Sequence, residues 1–321
     1  MKAKRRQAIF LLLLTLFGPV LGSSGCAQTE LQSAEELLAW EMKVRAEIEA
    51  ERERFDQLRG EYAELLARQE GPQPLTQEAV DRALAAAKAS RERVFTLLKE
   101  ADTAFRTYLK KHPDDHLVRD RWGHFLADHS LNYEAAEVWE ELIRRAPDYA
   151  TAPNNLGTLY THMGRDMEAI DLFLKSIALN PNEPEFYFNL GTVYATHRKD
   201  VAAKFGWDLP RVFREMLRAF GKARELAPDN VEYAREYASS FIMAKYFGVS
   251  DTADEAIAAW EHYLKLNLTP DQRAFGLNRL AFIYLREKGD KKRAAELLRE
   301  SIRVSPVPLA EDMLRECETE K

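Results

Sequence analysis

Three glycines, Gly123, Gly157 and Gly191, recur at intervals of 34 residues, and three other residue classes keep the same interval. Ala101, Ala135 and Ala169 share it, as do the aromatics Phe105, Trp139 and Phe173 and the prolines Pro113, Pro147 and Pro181. Small, aromatic and chain-breaking positions locked to one period mark a supersecondary unit copied along the chain. Each copy has room for two helices and a turn. Its proline cannot continue the second helix and so ends the copy. A glycine inside the first helix costs about 1 kcal/mol relative to alanine, so it needs a packing reason. Close approach of the second helix supplies one, with Ala169 as the matching small residue, while Tyr160 and Phe173 are expected to fill the space between pairs. Helix pairs that bury their apolar faces only against neighbouring pairs form an all-α solenoid.

In the unit 150–183 the positions Pro153, Leu156, Gly157, Tyr160, Ala169, Phe173 and Pro181 resemble the tetratricopeptide repeat. The unit 116–149 carries the same pattern in Trp122, Gly123, Leu126, Ala135, Trp139 and Pro147. The unit 184–230 opens with Tyr187, Leu190, Gly191 and Tyr194, inserts 13 residues, and resumes at Met216, Phe220, Ala223 and Pro228. Looser units follow over 231–270 and up to Pro306, and residues 82–115 read as a degenerate capping unit that keeps only Ala101, Phe105 and Pro113. The resemblance implies an α-solenoid of about six helix pairs over residues 76–308, closed by a helix over 309–321. It also implies a concave groove lined by the first helix of each pair.

The chain opens differently. Residues 2–6 are basic, Ala8 to Phe17 are almost wholly apolar, and Gly18-Pro19 and a run of small residues lead to Cys26. That is the layout of a secretory signal, too short for a spanning helix. Its end, Ser24-Gly25-Cys26, resembles the bacterial lipoprotein lipobox, although Ser23 stands where the family usually has Leu. The resemblance implies a signal peptide over 1–25, cleavage before Cys26, acylation of Cys26, and a lipidated tether over 26–32. Because Ala27 rather than Asp follows the cysteine, it further implies the periplasmic side of an outer membrane. Cleavage there removes Lys2, Lys4, Arg5 and Arg6 and moves the formal charge from −6 to −10. A chain that acidic is a poor ligand for phosphate backbones, so no nucleic-acid partner is expected. The other cysteine, Cys317, then has no disulfide partner.

Residues 33–70 form a long amphipathic helix by pattern. Ser33 and Glu36 make a capping box, and Ala34, Glu41, Ile48, Phe55 and Tyr62 alternate with Leu37, Val44, Glu51, Leu58 and Leu65 along a heptad seam. Two readings are open. The seam either drives a coiled coil, giving a stalk or homo-oligomer through residues 33–69, or folds back along the chain. Gly71-Pro72-Gln73-Pro74 makes 71–75 a linker.

The tetratricopeptide resemblance implies groove positions at Arg121, His124, Asn155, Thr158, His162, Asn189 and Thr192, together with Asp120, Asn154, Phe188, Arg235 and Arg279. The carboxylate clamp of one subset of that family needs Lys where this chain has Asp120, Asn154 and Phe188, so it is not supported. The insertion 197–210 reads as a loop carrying Phe205 and Trp207, and Trp207 is the candidate anchor for a partner. No metal-binding or cofactor-binding motif is present: the histidines between His112 and His162 are scattered, and no zincin, nucleophile-elbow, P-loop or dinucleotide pattern occurs. The reading is a non-enzymatic, lipid-anchored envelope scaffold that binds a protein or peptide in its groove, in envelope assembly or secretion. The alternatives are an envelope enzyme or its accessory subunit, and an oligomeric spacer.

Overall fold

A computed structural model describes residues 33–67 and 77–319. The signal segment 1–25, Cys26 with its tether 26–32, and the linker 71–75 lie outside the described residues. Every regular element among those described is helical. They divide into two compact units, one ending at Pro113 and the other beginning at Asp114.

The first unit is a pair of long helices, α1 (Ala34–Ala67) and α2 (Gln77–Lys111), packed against each other. The predicted capping box starts α1: Ser33 Oγ accepts from the Glu36 amide at 3.1 Å and Glu36 accepts from the Ser33 amide at 3.3 Å. Leu37, Glu41, Val44 and Ile48, four consecutive seam positions, are buried. On α2, Leu97, Ala101 and Phe105 are buried. Ser90 Oγ donates to Glu51 at 2.6 Å and Arg93 pairs with Glu47 at 2.9 Å, so the helices run antiparallel. From Leu37 to Ile48 the α1 seam is thus buried, in a helix that packs against α2 of the same chain. Glu41 is held in it by an ion pair to Arg45 one turn on. Residues 82–115 are not a two-helix repeat. No Gly, Pro or Asn lies between residues 77 and 111, so nothing breaks the helix, and Ala101 and Phe105 keep their period on an unbroken rod.

The second unit is a solenoid of helical hairpins. These are α3 (His116–Asp128) with α4 (Asn132–Arg145), α5 (Thr151–His162) with α6 (Asp166–Leu179), and α7 (Pro184–Thr196) with α9 (Leu209–Leu226). Next come α10 (Val231–Ser240), extended by a 3₁₀ turn over Phe241–Phe247, with α11 (Ala253–Tyr263), and α12 (Pro270–Arg286) with α13 (Lys291–Val304). The helix α14 (Pro308–Glu318) closes the stack against α13. Among the described residues there are therefore five such hairpins rather than six, because the expected first one is the rod α2. Some starts carry side-chain caps: Asp115 accepts from the Val118 amide at 3.1 Å, and Thr269 with Gln272 forms a full capping box around Pro270.

The insertion is also a helix, α8 (Arg198–Phe205), ended by Gly206 in the left-handed region at φ 64°. It is not the irregular loop that its sequence suggests. Asp208 then caps α9, accepting from the Arg211 amide at 2.8 Å.

The period itself has a clear packing basis. A Cβ added at Gly123 would lie 2.5 Å from Trp139 Cε2, at Gly157 2.8 Å from Phe173 Cε1, and at Gly191 2.9 Å from Phe220. The first-helix glycine therefore makes room for the aromatic ring of its own hairpin. Phe173 fills the inside of a pair, not only the space between pairs. Ala135, Ala169, Leu156, Tyr160, Leu190 and Tyr194 complete the same core, all buried. Pro147, Pro181 and Pro228 each follow the end of a second helix.

Candidate functional site: a polar ladder on the first helices

The first helices of consecutive hairpins lie side by side, and their polar side chains meet across the junctions. Asp120 on α3 is the hub. Its Oδ1 accepts Trp139 Nε1 at 2.8 Å and Asn155 Nδ2 at 2.9 Å, and its Oδ2 accepts the Tyr149 hydroxyl at 3.3 Å. One carboxylate thereby ties α3 to α4, to the turn after α4, and to α5 of the next hairpin. Asn155 Nδ2 also lies 3.0 Å from His124 Nε2. The ladder then steps to α7: Asn189 Nδ2 donates to Asn154 Oδ1 at 2.9 Å and approaches Thr158 Oγ1 at 3.4 Å, while Asn154 Nδ2 donates to Glu185 at 3.2 Å. Asn154 and Asn155 are buried, and His124, Thr158 and Asn189 are half-buried. Burial, then the charge and hydrogen bond of Asp120, push the Tyr149 hydroxyl up to about 12.

Of the residues predicted to face a partner, His124, Asn155, Thr158 and Asn189 are brought together here. Thr192 is exposed one turn along α7 and returns its hydroxyl to the Phe188 carbonyl at 2.9 Å. Arg121 is half-buried on α3, and His162 is exposed at the last position of α5. Trp207 lies elsewhere. It stacks on Phe205 at 4.3 Å, meets Tyr194 edge-on at 6.2 Å and carries Arg211 over its ring at 4.6 Å. The hub role of Asp120 escapes a reading of the sequence, because its donors come from α4, from the following turn and from the next hairpin. The spacing of 35 residues that joins Asp120 to Asn155 and Asn154 to Asn189 is the signal that carries it.

Beyond α7 the face changes character. Phe188 packs against Tyr233 at 4.9 Å and Phe220 at 5.7 Å. On α12 Phe275 and Phe282 are exposed, with the Arg279 guanidinium 5.0 Å over the Phe275 ring. Among the described residues no group of three or more His, Cys, Asp and Glu is placed to hold a metal ion, and no helix is long and apolar enough to cross a membrane.

Stacked antiparallel hairpins with this glycine–aromatic packing define an α-solenoid of the tetratricopeptide type. A family model described as TPR repeat matches residues 157–197, the stretch from the α5 glycine to the end of α7. Among solved structures, YrrB, described as a TPR protein with an unusual peptide-binding site, is 19% identical, covers 66% of this chain and 98% of its own, and superposes with a TM-score of 0.50. MamA is 16% identical over 64% of this chain and 97% of its own, with a TM-score of 0.46. No curated protein sequence matches the chain.

Proposed function

We propose that this protein is a non-enzymatic, lipid-anchored scaffold of the bacterial envelope that captures a peptide or a partner's extended segment along the first-helix face of its hairpins. The observation that carries the proposal is the ladder from Asp120 through Asn155 and Asn154 to Asn189. It fixes a row of amide, hydroxyl and imidazole groups at a regular spacing across three hairpins, and such groups suit an extended backbone, whose donors and acceptors also repeat. The likeness in fold to YrrB, with its peptide-binding site, agrees with this. The lipobox-like ending at Cys26 supports the anchor, and acyl chains on one residue would hold the protein at a membrane surface. Envelope assembly or secretion is the setting such an anchored scaffold would serve.

The test is a photo-crosslinking residue placed in living cells at Thr192, on the ladder face, and at Lys175, exposed on α6. Adducts at Thr192 and none at Lys175 support groove capture; equal labelling of both sites rejects it. Incorporation of labelled fatty acid that survives Cys26→Ala would reject the anchor.

A further inference from the structure

Among the described first helices only α10 passes directly into a 3₁₀ turn, over Phe241–Phe247, which stops at Gly248 in the left-handed region at φ 70°. A 3₁₀ helix has three residues per turn, so side chains three apart line up along one edge. Phe241, Ala244 and Phe247 are all buried and form the inward edge. The other two edges face outward. Ile242 is 40% exposed and Tyr246 54%, and Lys245 is exposed beside Tyr246.

The insertion brings cations to this segment. Arg198, the first residue of α8, holds its guanidinium 5.8 Å from the ring centres of both Tyr246 and Phe247, and Lys245 Nζ lies 5.1 Å from that of Tyr246. Arg198 Nε is buried without a hydrogen-bond partner. Lys199 follows it and is exposed. None of these three cations makes an ion pair among the described residues. The carboxylates nearest to them in the chain face other groups: Asp200 stands 3.9 Å from His197, and Asp251 accepts from Ser250 at 3.1 Å. The second hairpin shows the contrast. There Arg165, 34 residues before Lys199, covers Tyr160 at 3.6 Å and is closed off by Glu168 at 2.6 Å. Ala202 stands 34 residues after Glu168, so Lys199 lacks that carboxylate.

We infer that the start of α8 and the 3₁₀ segment together form a contact surface for anionic lipid headgroups. A tyrosine with an apolar body and a polar tip suits the headgroup level of a bilayer. Long cationic side chains beside it reach lipid phosphates while their stems cover apolar neighbours such as Ile242. Each cation close to an anionic surface tightens attachment about fivefold. The rest of the chain is acidic, −10 after the expected cleavage, and is repelled by the same surface, so this face sets the orientation. The surface is separate from the polar ladder and does not rest on groove capture. Acyl chains on Cys26 would bring the protein to a membrane; this surface determines which side of the solenoid lies against it.

The full chain, with a fluorescent amino acid in place of Ile242 or, as the control, of Asp229 beyond the far end of α9, is mixed with vesicles that carry a headgroup-level quencher. One set of vesicles is phosphatidylcholine alone, and the other also contains phosphatidylglycerol. Quenching at Ile242 in the anionic set that is several-fold above its value in the neutral set and above the value at Asp229, and that high salt removes, supports the surface. The combined variant Arg198→Gln, Lys199→Gln and Lys245→Gln must bring quenching in the anionic set down to the neutral level. High salt makes the same test without a substitution should that variant fail to fold. No quenching, equal quenching in both sets or at both positions, or quenching that survives high salt overturns the inference. So does a photo-crosslinker at Ile242 that captures a protein in cells while the vesicles give no quenching, which makes the segment a protein interface. Fatty acid labelling reads Cys26 alone, so the anchor and this surface fail separately.

Discussion

Asn155 and Asp120, on first helices of successive hairpins, share a 2.9 Å hydrogen bond at the carboxylate oxygen that also accepts Trp139 Nε1. Removing that carboxylate strands the buried Trp139 indole N–H and takes one of two polar neighbours from the Asn155 amide, whose Nδ2 also lies 3.0 Å from His124 Nε2. An unsatisfied buried donor costs about 1–3 kcal/mol, so Asp120→Ala should lower stability by about 2–4 kcal/mol. Asn155→Ala, which leaves Trp139 bonded, should cost less. Urea unfolding of the two variants side by side measures the difference.

The glycine–ring pairs give a prediction whose sign depends on place. Alanine gains about 1 kcal/mol over glycine in a helix interior. At Gly157 the new methyl would meet the Phe173 ring at 2.8 Å, and overpacking a tight core costs about 1–3 kcal/mol. Gly157→Ala should therefore melt at a lower temperature. At Gly60 on α1 an added methyl would have nothing within 4 Å, so Gly60→Ala should be neutral or slightly stabilising in the same thermal scan.

Ser130 and Gly164 occupy the same place in consecutive turns and both have positive φ, 62° and 73°. The left-handed region costs a residue with a Cβ about 1–2 kcal/mol. Ser130→Gly should relieve this and raise the melting temperature; Gly164→Ala should introduce it and lower the melting temperature by a comparable amount.

His262 gives a pH dependence. Burial, then the charges of Arg224 and Lys265, hold its imidazole below the usual range, and its Nε2 is buried without a partner. The folded state therefore takes up a proton less readily than the unfolded chain. Stability is full above the ordinary histidine range, near pH 6.5, and declines as pH falls below it. His262→Gln should flatten the urea midpoint between about pH 7.5 and about pH 5.5.

Trp207 reads in the sequence as a partner anchor on a loop, yet its ring stacks on Phe205 and carries Arg211. Trp207→Ala should cost about 1–3 kcal/mol, less than a fully buried Trp because the ring is only half-buried. Calorimetry on the purified variant, with circular dichroism to follow α8, checks it.

Much of the solenoid is legible in the sequence because its rule is local: a glycine, an aromatic and a proline at fixed offsets describe one hairpin wherever they occur. Three things are not. The 82–115 segment keeps two periodic residues, Ala101 and Phe105, but lacks any breaker, and the absence of a turn outweighs the presence of a period. Arg119 is a charged residue that the structure buries near Glu141 at 3.3 Å, and burial, the largest influence, lowers its pKa. The α8 insertion looks like a loop because Gly206 and Pro210 frame it, whereas its first eight residues have no breaker and Gly206 serves as a left-handed stop. At the candidate site, position along the helix is readable, but partnership is not. Which amide meets which carboxylate depends on the angle between neighbouring hairpins.

The junctions between hairpins are not built of the same material. From α3 to α7 they are pinned by directional bonds between short side chains, Asp120 to Asn155 and Asn154 to Asn189. From α7 to α10 the first helices meet through rings, Phe188 against Tyr233. Hydrogen bonds hold a bearing in one setting, whereas rings can slide over each other at little cost. The curvature of the early coil is thus set by bond direction, whereas at the α7–α10 joint a change of angle would break no hydrogen bond between these two rings.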